Sequence, residues 1–211
     1  MISLYTWTTP NGRKISVALE EMGLPYEVKP VNIGNNEQFT PDFLKISPNN
    51  KIPAIVDHGA AGGPLSIFES GAILLYLAER SGMLLPTSPA VREKAMEWLF
   101  WQIGGLGPML GQLNYFANRA PEKLPLAIGR FEDEGIRLLN VMEKRLGEAA
   151  YLAGNEYSIA DIASYPWVSV GLGMVRGVAG DAFPPTPSID RWIATIGARP
   201  AVQRGMAVPK V

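Results

Sequence analysis

Residues 47–77 read SPNNKIPAIVDHGAAGGPLSIFESGAILLYL, and the reading of this stretch decides the fold. Pro53 closes a polar loop and opens a short apolar run, Ala54-Ile55-Val56, of strand length and composition. The Gly-rich turn around His58-Gly59 and Gly62-Gly63 leads to a second short run, Leu65 to Phe68. Glu69-Ser70-Gly71 then opens an apolar helix. Two strands joined by a turn, with a proline before the first and an acidic-hydroxyl pair after the second, suggest a site for the backbone of a peptide-like ligand.

The residues before this stretch supply the rest of a sheet. Ile2 to Thr6 alternates at period two, as a short strand does. Thr8-Thr9-Pro10-Asn11-Gly12 is a turn, after which Ile15, Ala18, Leu19 and Met22 recur at helical spacing and Gly23 ends the helix. Tyr26 to Val31 reads as another strand, and Pro30, which cannot donate to a ladder, places it at a sheet edge. A polar loop over 34–38 precedes a short helix at Pro41 to Ile46. The order βαβ-α-ββα predicts an α/β unit of about 82 residues, a four-stranded mixed sheet covered by helices.

Beyond Gly82 the pattern changes. Residues 83–88, ending in the Pro86-Thr87-Ser88-Pro89 run, read as a linker, and 89–211 as an all-α domain. One helix runs from Val91 to Ile103 and is interrupted by Gly104-Gly105-Leu106-Gly107-Pro108; a second runs from Leu124 to Leu146. Ser158 and Asp161 form a capping-box-like start for a helix bent or ended by Pro166. Ser188 caps a last amphipathic helix with Ile189, Trp192, Ile193 and Ile196, and Arg199-Pro200 starts a terminal turn.

Composition narrows the function classes. The chain has 211 residues, 47% of them hydrophobic, enough for a substantial core. A formal net charge of −1 provides no basic field for nucleic acid or an anionic membrane. No apolar run approaches the ~20 residues of a membrane span, and no signal-peptide pattern opens the chain, so cytoplasmic residence is expected. The chain has no cysteine, which excludes disulfides, thiolate metal sites and a protein-borne thiol nucleophile. Its single histidine, His58, is read as a solvated turn residue.

Three local groups could carry chemistry. Pro53, if cis, would turn the Ile52 N–H and C=O outward toward a bound peptide; as a trans residue it merely starts a strand. At the helix N-terminus, Ser70 could donate to a carboxylate while Glu69 accepts from an α-amino group; the alternative is an ordinary helix cap. Thr9 and Asn11 could stabilise a thiolate at the first helix, where a two-unit fall in thiol pKa corresponds to about 2.7 kcal/mol; the alternative is a capping turn.

The motifs NKIPAIVD and FESGAILLYLAE, with YSIADIA further on, resemble the cytosolic glutathione transferases. TPNGRKISVALEE, SPNNKIPAIVDH and WLFWQIGGLGPMLGQ more narrowly resemble their bacterial Nu class, whose members are glutathione-dependent disulfide-bond reductases. The resemblance implies a thioredoxin-like N-terminal domain with Pro53 as its cis-proline, an all-helical C-terminal domain, and a homodimer. It implies glutathione, reduced or as the disulfide, as co-substrate, and no metal. Ile52 would pair with the cysteinyl backbone, Glu69 and Ser70 with the γ-glutamyl end, and Gln38 and Lys51 with the glycine carboxylate or groups beside it. Thr9 and Asn11 would lie at the sulfur as catalytic residues, and Arg130 would help bind a second glutathione or the disulfide form. In a chain without cysteine, both thiols of the exchange must come from glutathione. A conventional transferase acting on apolar electrophiles and a non-catalytic glutathione-binding protein are the alternatives. On this reading the Gly104–Pro108 interruption opens a helix wall lined by Met109, Tyr115 and Phe116, while Trp98 and Trp101 serve core or interface.

Overall fold

The computed structural model describes residues 1–211, the side chain of Ala182 excepted. By internal packing the chain forms two compact units, 1–85 together with 197–211, and 86–196.

In the first unit, β1 (Ile2–Thr6) pairs in parallel with β2 (Tyr26–Pro30) and antiparallel with β3 (Ala54–Asp57), to which β4 (Leu65–Phe68) adds antiparallel. The strand order is β2-β1-β3-β4, so Pro30 lies on an edge strand as its missing donor requires. All four residues of β3 are buried, which is why Ala54-Ile55-Val56 read as a continuous apolar run rather than an alternation, while the buried Asp57 at its end is paired with Tyr76 and Arg80. Helix α1 (Pro10–Glu21) packs against β1 and against α3 (Ser70–Ser81). Phe43 of α2 (Pro41–Ile46) packs with Val31 and Ala54, and Tyr5 lies against it at 6.2 Å between ring centroids. Gly23 takes φ +61° just past α1, as the sequence predicts for a helix end. His58 is exposed, and its Nε2 lies 2.9 Å from Ser3 Oγ.

The C-terminal residues depart from the expected boundary, which assigned all of 89–211 to the helical domain. Helix α9 (Pro200–Met206) belongs to the first unit, docked on α1. The reason is backbone proximity at Gly205, where a Cβ would fall 2.5 Å from Val17 Cα. Ser16 Oγ donates to the Gly205 carbonyl at 2.7 Å, and Arg199 makes a two-pronged pair with Glu21 at 2.7 Å for each bond. Arg204 pairs with Glu20 at 2.6 Å.

The second unit contains α4 (Pro89–Trp101), α5 (Gly107–Asn114), α6 (Pro125–Glu148), α7 (Ile159–Ala179) and the body of α8 (Pro187–Gly197). One expectation needs correction here, and of the two outcomes open at Pro166 one is excluded. The Gly-rich run does not interrupt a helix: residues 102–106 form a π-helical turn that carries α4 into α5, and a second π turn spans 115–119. Of its glycines, Gly107 serves close packing, since a Cβ there would meet Gln102 Nε2 at 2.7 Å and Trp167 Nε1 at 3.3 Å. Nor does Pro166 end α7, which continues to Ala179. A proline in a helix interior costs about 3 kcal/mol, and the twelve buried residues of α7 offset that by burying apolar surface. Among the described residues no helix is long and apolar enough to cross a membrane.

Asp161 fixes this unit. The capping box forms with Ser158, and the same carboxylate accepts from Leu152 N at 3.0 Å, Ser158 N at 3.1 Å and Trp192 Nε1 at 2.9 Å. Burial pushes the Asp161 carboxyl above its ordinary range, while the donors pull it back. One side chain thus ties the loop before α7, the start of α7 and the core tryptophan of α8. Asp161→Ala would leave several buried donors without a partner and is expected to destabilise the protein by about 3 kcal/mol or more. Urea unfolding of the variant checks this, and an unchanged midpoint would count against the hub.

Candidate functional site

Strand directions assemble the site. β1 and β4 run the same way and β3 runs opposite, with Tyr5 facing Ala54 and Ala54 facing Phe68 across the sheet. The chain leaving β1 toward α1, the chain arriving at β3 and the chain leaving β4 toward α3 therefore converge on one end. There Asn11, Lys51, Ile52, Pro53, Phe68, Glu69 and Ser70 line a cavity of about 150 Å³. The Ile52–Pro53 peptide is cis. The loop before it is tied down by Ser47, which is fully buried and donates from Oγ to the Lys51 carbonyl at 2.8 Å.

The two helix starts differ. At α1, Thr9 is a true N-cap, its Oγ1 accepting from Gly12 N at 3.1 Å. That bond uses an acceptor lone pair and leaves the hydroxyl proton for another partner. At α3, Glu69 occupies the N-cap position but makes no side-chain cap bond, so the capping alternative for Glu69 fails. Its backbone sits at φ 71°, ψ 115°, a region comfortable only for glycine. The α3 N-terminus is thus left without a carboxylate of its own, and the Glu69 carboxylate is directed elsewhere, 3.5 Å from Asn49 Nδ2.

Lys14 lies behind this wall. It is only 2% exposed, and its Nζ donates to Ser70 Oγ at 3.3 Å. Burial drives its pKa down from 10.5 to about 7, with the Glu69 charge opposing that fall. The cavity end of the sheet thus combines a carboxylate, a hydroxyl, a helix N-terminus and a buried amine. That set complements a molecule bearing both an ammonium and a carboxylate.

Comparison with known proteins identifies the architecture. The model of the glutathione S-transferase N-terminal domain matches residues 1–79, and that of the C-terminal domain matches 132–200. The disulfide-bond oxidoreductase YfcG of Escherichia coli is 49% identical over 98% of this chain and 94% of that protein. The chain belongs to the glutathione S-transferase family. A second Escherichia coli disulfide-bond oxidoreductase, YghU, is 43% identical over 98% of this chain and 74% of its own length. A glutathione transferase from Burkholderia graminis, solved with two glutathione molecules per subunit, superposes with a TM-score of 0.92 at 46% identity, covering 99% of this chain and 88% of that one. One from Pseudomonas putida, with one glutathione disulfide per subunit, gives 0.93 at 43% identity over 99% and 91%.

Within this transferase fold, six of the residues singled out in the sequence line one cavity: Asn11, Lys51, Ile52, Pro53, Glu69 and Ser70. Thr9 stands beside them at the α1 cap without lining the cavity. Gln38 lies in a 3₁₀ turn over Glu37–Phe39 and is not in the lining; its Oε1 is buried without a hydrogen-bond partner. Arg130 is in α6, in the other unit, 3.9 Å from Glu134 with its side chain 65% exposed. Two contributors escape a reading of the sequence. Phe68 is legible in the sequence only as a strand residue, though it directly precedes Glu69, and Lys14 falls outside the apolar stripe of the first helix and carries no local signal.

The amine of Lys14 makes stability depend on pH. Unfolded, it keeps its proton up to about 10.5; folded, it releases it near 7, so between these values the unfolded chain binds more protons. Stability from this group therefore rises with pH across that window, by up to about 1.4 kcal/mol per unit, and is flat below it. Urea midpoints measured from pH 7 to 9.5 should climb in the native protein and lose that climb in Lys14→Met. Parallel profiles would refute the assignment.

Proposed function

We propose that the protein is a glutathione-dependent disulfide-bond reductase that uses the thiols of bound glutathione. The observation that carries this reading is the cavity joining Ile52-Pro53 to Glu69-Ser70 in a chain with no cysteine of its own. Glu69 accepts from the γ-glutamyl ammonium, while Ser70 and the α3 N-terminus bind its carboxylate. The Ile52 backbone pairs with the cysteinyl residue, and Lys51 and Gln38 serve the glycine end. Thr9 and Asn11 face the sulfur from the α1 N-terminus. There the free hydroxyl proton of Thr9 and the helix dipole favour the thiolate over the thiol. Arg130 assists a second glutathione or the disulfide form. The names of YfcG and YghU, and the glutathione disulfide in the Pseudomonas putida structure, support reductase over conjugation chemistry.

The chemistry balances on glutathione alone. A first thiolate attacks a substrate disulfide, forming a glutathione mixed disulfide and expelling one substrate thiolate. A second glutathione thiolate attacks the mixed disulfide at its glutathione sulfur, giving glutathione disulfide and the second substrate thiolate. Two glutathiones supply the two electrons, and each expelled thiolate takes a proton. Positioning both thiols in one site makes the exchange effectively unimolecular. The structure of the Burkholderia graminis enzyme with two glutathiones is consistent with that requirement.

We read the protein as a cytosolic homodimer of the Nu class, a reading that the motifs TPNGRKISVALEE and WLFWQIGGLGPMLGQ support. Exposed Leu65, Phe68 and Met83 give the first unit apolar surface for a second copy. The cytosol offers the reduced glutathione pool that supplies electrons.

Thr9→Ala is expected to lower the reduction rate of hydroxyethyl disulfide at least tenfold while glutathione affinity changes little. A turnover equal to the native one would remove Thr9 from the chemistry. Ser70→Ala should weaken glutathione by about 1–2 kcal/mol in calorimetry, the range for a hydrogen bond to a charged group. Conjugation of a halonitrobenzene running faster than disulfide reduction would replace this reading with that of a conventional transferase.

A further inference from the structure

Lys14 has no part in the chemistry described above, and its place in the fold is unusual. A lysine is almost never fully buried without a reason, because removing an ammonium from water is costly. Here the Nζ is buried on the inner side of Ser70, while Ser70 itself lines the cavity. An ammonium is donor only, so when Lys14 is charged Ser70 Oγ must accept from it. The hydroxyl proton is then directed away from Nζ and is available to the cavity. A neutral amine can accept, which draws the hydroxyl proton inward and turns oxygen lone pairs toward the cavity. The protonation state of Lys14 thus decides whether Ser70 presents a donor or an acceptor to whatever binds.

We propose that Lys14 is the positioning residue of the carboxylate subsite: as an ammonium it holds the Ser70 hydroxyl proton toward the cavity, so that binding of an α-amino-acid carboxylate is coupled to protonation of Lys14. This rests on the glutathione reading, because the carboxylate concerned is that of the γ-glutamyl group.

The charged groups on the elements packed against α1 bear on this coupling. From α3, the charge that acts on Lys14 is that of Glu69, just before the helix. The other ionisable groups of α3 are Tyr76, Glu79 and Arg80, at its far end, with Tyr76 and Arg80 both bound to Asp57 of β3. From the C-terminal segment, Arg199 and Arg204 are paired with Glu21 and Glu20 at the last turn of α1. From β1, the ionisable group is Tyr5, which lies against Phe43 of α2. On α1 itself, Arg13 is the neighbouring charge. Burial outweighs the opposing Glu69 charge, so Lys14 titrates near neutrality, its pKa depressed to about 7. A ligand carboxylate brought to Ser70 adds a second negative charge and favours the ammonium. Binding above pH 7 must then take up a proton, and affinity must fall as pH rises further.

The test uses the full chain and S-methylglutathione, whose blocked sulfur cannot titrate. Calorimetry in two buffers of different ionisation enthalpy counts the protons exchanged on binding. At pH 6 the native protein should take up almost none, and at pH 8 close to one. Affinity should fall toward a limit of about tenfold per pH unit above pH 7.5. Lys14→Arg, which cannot lose its proton, should bind with the uptake abolished and affinity kept at pH 8. Lys14→Met should lose both the uptake and, at pH 6, at least fivefold in affinity. A native protein that takes up no proton at pH 8, or an uptake that survives in either variant, overturns the proposal. Failure of S-methylglutathione to bind at any pH would instead overturn the glutathione site on which the proposal rests.

Discussion

The antiparallel placement of β3 between β1 and β4 is the constraint on which the site depends. Three chain segments far apart in sequence, at Asn11, Pro53 and Glu69, meet only because the strands carrying them end or begin at the same edge of one sheet. A register slip of one residue would turn every side chain of β3 to the other face, and all four are buried. The cavity is therefore specified by the core that holds the register, and the polar residues at its rim need contribute little to folding.

The same sheet accounts for what the sequence made legible. Ala54-Ile55-Val56 could be assigned because a strand covered on both faces is apolar throughout, and β2 could be placed at an edge because proline lacks a donor. Of the cavity lining, Pro53, Glu69 and Ser70 are marked by two local signals, a proline before a strand and an acid-hydroxyl pair before a helix, whereas Lys51 is marked only by the family resemblance. What local signals could not show was contact over distance. Helix α9 docks on α1 through Gly205 and two arginine-glutamate pairs more than 170 residues apart in sequence, and nothing within 200–206 announces that partner. The Gly-rich run at 104–108 carries the composition of a break, yet the helix continues through it as a π turn, and Gly107 is explained by the Gln102 and Trp167 side chains packed against it.

Lys14 shows a sharper limit. The expected apolar stripe of α1, Ile15, Ala18, Leu19 and Met22, is buried as predicted, but so are Gly12, Lys14, Ser16 and Val17. A helix enclosed by the sheet, α3 and α9 has no wet side along that length, so its polar residues are not markers of solvent. Periodicity assumes one buried stripe and one exposed stripe. Where a third layer covers the helix, a lysine in the pattern becomes a buried amine that must find partners, and Ser70 is one.

Glu69 completes the physical picture. A side chain that capped α3 would satisfy its first N–H groups and close the helix end to outside molecules. Glu69 instead holds φ 71°, at a cost of about 1–3 kcal/mol for such backbone, and makes no cap bond. The strain keeps a carboxylate and an uncapped helix N-terminus side by side, each available to a ligand rather than to the other. With the Lys14 amine 3.3 Å behind Ser70, protonation of that amine and the α3 N-terminus put positive potential under one part of the cavity wall, with negative charge at its rim. A wall polarised in this way discriminates by charge arrangement more than by shape. It favours a zwitterion over a simple anion or cation, because each of those would leave one half of the wall uncompensated.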